Sequence, residues 1–186
     1  MARHDNLETA LEFVVQAHKG QLRDGESPLP YATHPVEVVA NLRYIGGVKD
    51  GAVIAAGFLH DVLEETQVTS EEIEKAFGKR VRSLVDEVTR YEPTEAETKG
   101  MTEDEIYHLR SDLLLNEISK MSPEAQTIKL ADRLSNVIGA KATKPKEKQE
   151  RYIEQTRKML RIIPKAVNPS LWTAVRKAAD IKKREI

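Results

Sequence analysis

Asp50-Gly51-Ala52-Val53-Ile54-Ala55-Ala56-Gly57-Phe58-Leu59-His60-Asp61-Val62-Leu63-Glu64-Glu65 decides how the rest of the chain is read. Val53 to Leu59 would be apolar on nearly every side of a helix, and Asp50 stands where an N-cap is expected. A helix without a wet face belongs in the middle of a bundle. The run is far short of the ~20 residues that cross a membrane, and it ends abruptly in two acids and a His-Asp pair.

Outward from this stretch the periodicity is helical. Leu7, Leu11, Val14 and Val15 recur at spacings of three and four behind Asn6, a fair N-cap. Gly20 to Thr33, with Gly25, Pro28 and Pro30, reads as a loop. His34-Pro35 then opens a helix with proline in its first turn, and Val38, Val39 and Leu42 carry it to Gly46-Gly47. Thr69-Ser70-Glu71-Glu72 is a capping signal for a short helix ending at Gly78, and another helix runs from about Lys79 to Arg90. Residues 91–104 form an acidic loop, and helices follow at about 103–120, 123–142, 147–163 and 169–184. The last gathers Arg176, Lys177, Lys182, Lys183 and Arg184 opposite Leu171, Val175 and Ala178, an ordinary amphipathic pattern. With no strand and no repeat, the expected class is an all-α bundle of about eight to ten helices.

Composition narrows the chemistry. The 186 residues contain no cysteine, which excludes disulfides, thiolate metal sites and a cysteine nucleophile. A net charge of −1 argues against bulk electrostatic binding of nucleic acid. No apolar signal segment follows Met1, so the expectation is a cytoplasmic protein with neither a membrane nor a nucleic-acid partner.

Polar groups that fall where a bundle should be apolar mark the site. His34 begins one helix, His60 and Asp61 end the buried one, and Asp132 interrupts Ile128-Lys129-Leu130-Ala131-Asp132-Arg133-Leu134. Burying unpaired carboxylates costs several kcal/mol each, and a divalent metal offsets that cost. Two imidazoles and two carboxylates suit Mn²⁺, Fe²⁺ or Zn²⁺ better than Ca²⁺. Glu64 lies one helical turn from His60 and Glu65 one turn from Asp61, a spacing that suits acids orienting or deprotonating a water.

Five runs in order carry a resemblance: His18-x-Gly20-Gln21-x-Arg23, Pro30-Tyr31-x-x-His34-Pro35, His60-Asp61-x-x-Glu64-Glu65-Thr66, Leu84-Val85-Asp86-x-Val88-Thr89 and Lys129-Leu130-Ala131-Asp132-Arg133-Leu134-x-Asn136. Together they resemble the HD-type hydrolase domain of RelA/SpoT homologues. With no length left for a synthetase domain, 1–186 is similar to the stand-alone small alarmone hydrolases, one HD-type domain in all. The resemblance implies Mn²⁺-dependent removal of the 3′-pyrophosphate from the nucleotide (p)ppGpp. His34, His60, Asp61 and Asp132 fall on the family's metal ligands, and Glu64 and Glu65 on its water-activating acids. Arg23 falls on the phosphate-binding loop, Asn136 on a ribose-side contact and Tyr152 on a nucleotide-pocket tyrosine. Arg110 is expected to help neutralise phosphate. His18 reads as structural, and His4 and His108 as surface residues.

Four departures from the family pattern touch substrate handling and none touches a ligand position. Glu65 replaces the usual Asp, and Asp24 the usual Lys, a reversal of charge worth about 2 kcal/mol at 4 Å from a phosphate even in water. The segment beyond Tyr91 is acidic where relatives carry cations, and Ile138-Gly139-Ala140 stands where many have Arg-Thr-Leu. Two further readings therefore stand beside the alarmone hydrolase: a phosphohydrolase of another 3′-phosphorylated nucleotide, and a catalytically weak module that binds nucleotide or metal.

Overall fold

A computed structural model describes residues 5–25 and 28–186, the side chains of residues 5 and 6 excepted. The side chain of Asn6, which stands within α1 and not ahead of it, and the surface His4 lie outside the described residues. Eleven α-helices follow in order: α1 (Asp5–Ala17), α2 (Thr33–Ala40), α3 (Gly51–Leu59), α4 (Val62–Glu65), α5 (Ser70–Phe77), α6 (Lys79–Val88), α7 (Glu95–Thr98), α8 (Glu103–Lys120), α9 (Pro123–Thr143), α10 (Lys146–Ile162) and α11 (Pro169–Ala178). Among the described residues the only β-type pairing is an isolated bridge between Leu22 and Pro30. The architecture is all-α, as the periodicity requires.

The helix starts follow from side chains that take up otherwise unpaired amides. Asp50 accepts from the amides of Ala52 and Val53 at the head of α3. Thr69 with Glu72, Thr94 with Glu97, and Thr102 with Glu105 form reciprocal capping boxes for α5, α7 and α8. Ser122-Pro123 and Asn168-Pro169 pair a cap with proline at the first helical position for α9 and α11.

α3 occupies the centre, with Val53 to Leu59 all buried. α1, α2 and α6 pack on it, and α9 packs on α2, α6, α10 and α11. One core of buried side chains runs from Ala10 to Ile181. Where α3 crosses the end of α2 and the turn that follows it, the fit is close enough to need glycine: a Cβ at Gly57 would lie 2.5 Å from Leu42 Cδ1. α2 leaves this crossing through a π-helical turn, Asn41–Ile45, where Asn41 donates to the Ala131 carbonyl of α9 at 3.1 Å.

The structure corrects three boundaries. The buried helix does not run on to the acidic pair: α3 ends at Leu59, and Glu64 and Glu65 stand on the separate α4. The last helix stops at Ala178, not near residue 184; Asp180 adopts φ 55° and the chain turns so that Ile181 enters the core. Lys183–Glu185 form only a short 3-10 turn, so the basic residues there do not extend α11. The acidic segment 91–104 is not wholly loop, because the Thr94 capping box winds Glu95–Thr98 into a turn of helix.

Candidate metal centre and the clefts around it

Four helices converge on one point. His34 is the second residue of α2, His60 is the C-cap of α3, Asp61 opens α4, and Asp132 projects from the middle of α9. The Nε2 atoms of His34 and His60 are 3.2 Å apart. Asp132 Oδ1 lies 3.3 Å from His34 Nε2 and 3.7 Å from His60 Nε2. Asp61 Oδ2 lies 3.5 and 3.2 Å from the same two nitrogens. His34, His60 and Asp132 form a group compact enough to hold a metal ion by themselves. Asp61 borders it, its Oδ2 also accepting the Tyr31 hydroxyl at 2.6 Å.

The hydrogen bonds behind the rings fix which nitrogen is free. His60 Nδ1 is 2.9 Å from the Gly57 carbonyl, which can only accept, so Nδ1 carries the hydrogen. His34 Nδ1 faces Ser135 Oγ at 3.1 Å, and Ser135 donates to Glu37 at 2.6 Å, so this ring too is protonated on Nδ1. Two Nε2 lone pairs therefore point at each other across 3.2 Å, an arrangement that repels unless a cation lies between them. The donor set fits a divalent metal for that reason. Without one, a proton must serve: burial alone would lower His60, but Asp61 and Asp132 lift it to about 10. Burial by itself would raise Asp61 and Asp132; His60 and its hydrogen bond outweigh it for Asp61, and the hydrogen bonds of His34 and His60 for Asp132, so both stay below the ordinary carboxylate range.

Glu64 and Glu65 stand beside this centre in different surroundings. The Glu64 side chain is only 9% exposed; it accepts from the Arg90 amide at 2.9 Å and meets Arg90 Nε at 2.7 Å. Burial pushes its carboxyl up, against the opposing pull of Lys129 and Arg90. Glu65 is 44% exposed, with Arg90 Nη2 no nearer than 4.0 Å.

Two clefts open from the centre. The first, about 560 Å³, is lined by Leu22, Arg23, Asp24, Lys144 and Gly139 among others. The second, about 310 Å³, holds Asp61, Glu64, Glu65, Arg90, Arg110 and Lys129. Tyr31, His34, Asn136 and Tyr152 line both. Of the expected substrate residues, Asn136 and Tyr152 thus stand where the clefts meet, and Asn136 also donates to Asp132 Oδ1. Arg23 and Arg110 face their clefts already paired, with Glu37 and Glu92. Asp24 is matched by Lys144 from the end of α9.

Tyr31, Gln21, Arg133 and Lys129 stand at the site without a role assigned from the sequence. Tyr31 and Gln21 were visible only as motif letters; Gln21 donates to the Glu65 carbonyl at 2.7 Å. His18 is buried, stacks on Tyr31 with centroids 4.6 Å apart and binds Gln21 through Nδ1, in keeping with a structural role. His108 is exposed. Arg133, 6% exposed, lies 5.2 Å over the Tyr152 ring and leaves Nη1 without a partner among the described residues. Its signal was its place directly after Asp132. Lys129, also buried, sits 4.0 Å from Asp132 Oδ2.

A helical bundle with an adjoining His and Asp at its centre, joined by a second His and a second Asp from other helices, has the layout of an HD domain. The HD domain family matches residues 10–160, and the chain belongs to that family. Among its relatives, guanosine-3′,5′-bis(diphosphate) 3′-pyrophosphohydrolase MESH1 of Xenopus tropicalis is 35% identical over 146 residues, covering 78% of this chain and 75% of its own. The Homo sapiens protein of that name is 32% identical over 146 residues with the same coverage. A probable guanosine-3′,5′-bis(diphosphate) 3′-pyrophosphohydrolase of Synechocystis is 37% identical over 92% of this chain but only 21% of its own length. Among solved structures, one described as "A metazoan ortholog of SpoT hydrolyzes ppGpp and plays a role in starvation responses" superimposes with a TM-score of 0.81 at 27% identity over 96% of both chains. Another, lmo0812 of Listeria monocytogenes, shares the fold at a TM-score of 0.62 and 21% identity.

Proposed function

We propose that this protein is a metal-dependent (p)ppGpp 3′-pyrophosphohydrolase, adding water across the 3′ ester to give GDP or GTP and pyrophosphate. One observation carries the reading: two imidazole nitrogens with their lone pairs turned on each other, flanked by two aspartates, one turn from an acidic pair and at the meeting point of two clefts. The similarity to proteins named for this reaction, over three quarters of both chains, supports the substrate. His34, His60, Asp61 and Asp132 would hold the metal, for which Mn²⁺ is our choice on the mixed nitrogen and oxygen donors. When bound there, a divalent metal supplies Lewis acidity to the phosphoryl oxygen and to the attacking water.

The chain's own groups would do the rest. Glu64, partly desolvated and held by Arg90, is placed to take a proton from water. Glu65, open to solvent, can orient that water and pass the proton out. Asn136 and Tyr152, at the junction of the clefts, would set the nucleoside against the scissile bond. Lys129, Arg133 and Arg110 bring positive charge to the second cleft, where phosphate would lie. We read 1–186 as one HD unit acting in the cytoplasm; the continuous core supports the first, and among the described residues no helix is long and apolar enough to cross a membrane.

The test is turnover of ppGpp by Mn²⁺-supplemented protein with pyrophosphate detection; well-folded, metal-loaded protein that releases none contradicts the reading. A second reading, another 3′-phosphorylated nucleotide, is favoured by the pairing of Arg23 with Glu37 and of Asp24 with Lys144, which leaves those charges of the first cleft balanced. Side-by-side kcat/KM values for ppGpp and nucleotides with a 3′-monophosphate decide between the two, and a clear preference for ppGpp rejects the second.

A further inference from the structure

We propose that Arg23, Glu37 and Ser135 form a positioning chain for His34, so that Arg23 acts on the metal ligand rather than on substrate phosphate. The proposal rests on the metal reading of the centre. The links are short and continuous: Arg23 Nη1 donates to Glu37 Oε1 at 2.8 Å, Ser135 Oγ donates to Glu37 Oε2 at 2.6 Å, and His34 Nδ1 meets Ser135 Oγ at 3.1 Å.

Each link constrains the next. A carboxylate only accepts, so the single Ser135 hydrogen goes to Glu37, and Ser135 can only accept from His34. That holds the hydrogen on Nδ1 and turns the Nε2 lone pair into the centre. Arg23 fixes the carboxylate that fixes the serine. Gly139, one turn beyond Ser135 on α9, gives the guanidinium its place: a Cβ there would stand 3.3 Å from Arg23 Nη2. His60 has no comparable chain, because its Nδ1 is held by the Gly57 backbone carbonyl. Of the two histidines, only His34 is held at Nδ1 by a side chain that substitution can remove.

The test is calorimetric titration of Mn²⁺ into metal-free protein, without nucleotide, for the unaltered chain and for Ser135→Ala, Glu37→Gln, Arg23→Ala and Arg23→Lys. Loss of such a partner behind a ligating histidine weakens metal binding by about 10–100-fold. We expect that loss for Ser135→Ala and Glu37→Gln, a smaller loss for Arg23→Ala, and its recovery in Arg23→Lys. Glu37→Gln conserves shape on a half-exposed side chain, so it reports even where Ser135→Ala fails to fold. With Mn²⁺ saturating, KM for ppGpp should stay within about twofold while kcat falls. Unchanged Mn²⁺ affinity in Glu37→Gln overturns the chain, and unchanged affinity with a raised KM in Arg23→Ala returns that arginine to the substrate. If the unaltered protein turns over no ppGpp while the Mn²⁺ series behaves as expected, the positioning chain stands and the assigned substrate falls.

Discussion

Glu64 and Glu65 are chemically alike and adjacent, yet the fold gives one a desolvated pocket beside Arg90 and leaves the other in solvent. Glu64→Gln should lower kcat by about 10²–10⁴ while Mn²⁺ affinity, read by calorimetry, is kept. The same change at Glu65 should cost less. His60 yields a pH prediction. Its Nε2 faces the centre, and in metal-free protein it holds a proton up to about pH 10. Metal must displace that proton, so Mn²⁺ affinity should rise about tenfold per pH unit between pH 6 and 9 as the competing proton is withdrawn. A pH-independent affinity would contradict this placement of the proton. The four candidate ligands were legible because each is a polar group in an apolar setting. The partner of Arg23 was not, because nothing in a linear reading tells that Glu37 turns toward the loop while Ser135 approaches from α9.

α3 carries the site because it is central, and two of its residues show how that placement is maintained. Asp50→Ala removes the acceptor for two amides and the partner of Arg80, and should lower unfolding free energy by about 1 kcal/mol in urea titration. Gly57→Ala forces a methyl group to within 2.5 Å of Leu42 Cδ1, in a crossing where Leu42 is fully buried. It should cost about 1–3 kcal/mol by the same measurement, and a neutral result would mean that α2 and α3 separate more freely than their packing indicates. Helix order and most starts were readable from caps and periodicity. The end of α11 was misread because basic residues continue its pattern to 184, whereas burying Ile181 through the turn at Asp180 decides where it stops. The π-turn at 41–45, where Asn41 donates to the Ala131 carbonyl, left no sequence signal.

At the scale of the molecule, the candidate metal centre joins α2, the α3–α4 junction and α9, so occupancy should stabilise the whole bundle. Metal at about 100 times its Kd adds about 2.7 kcal/mol, which should raise Tm by roughly 5–10 °C for a chain of this size, and chelation should reverse it. Differential scanning calorimetry with and without Mn²⁺ checks this; an unmoved Tm would mean that the centre holds no metal under those conditions. The first cleft was not legible in the sequence, because it is lined by Arg23, Asp24 and Lys144, which pair across elements distant in sequence. The most direct test of the whole account is ³¹P NMR of ppGpp turnover in ¹⁸O-enriched water with Mn²⁺ present. The account predicts pyrophosphate carrying the label beside unlabelled GDP with its 5′-diphosphate intact. Release of inorganic phosphate, label in GDP, or no turnover by folded, Mn²⁺-loaded protein would contradict it.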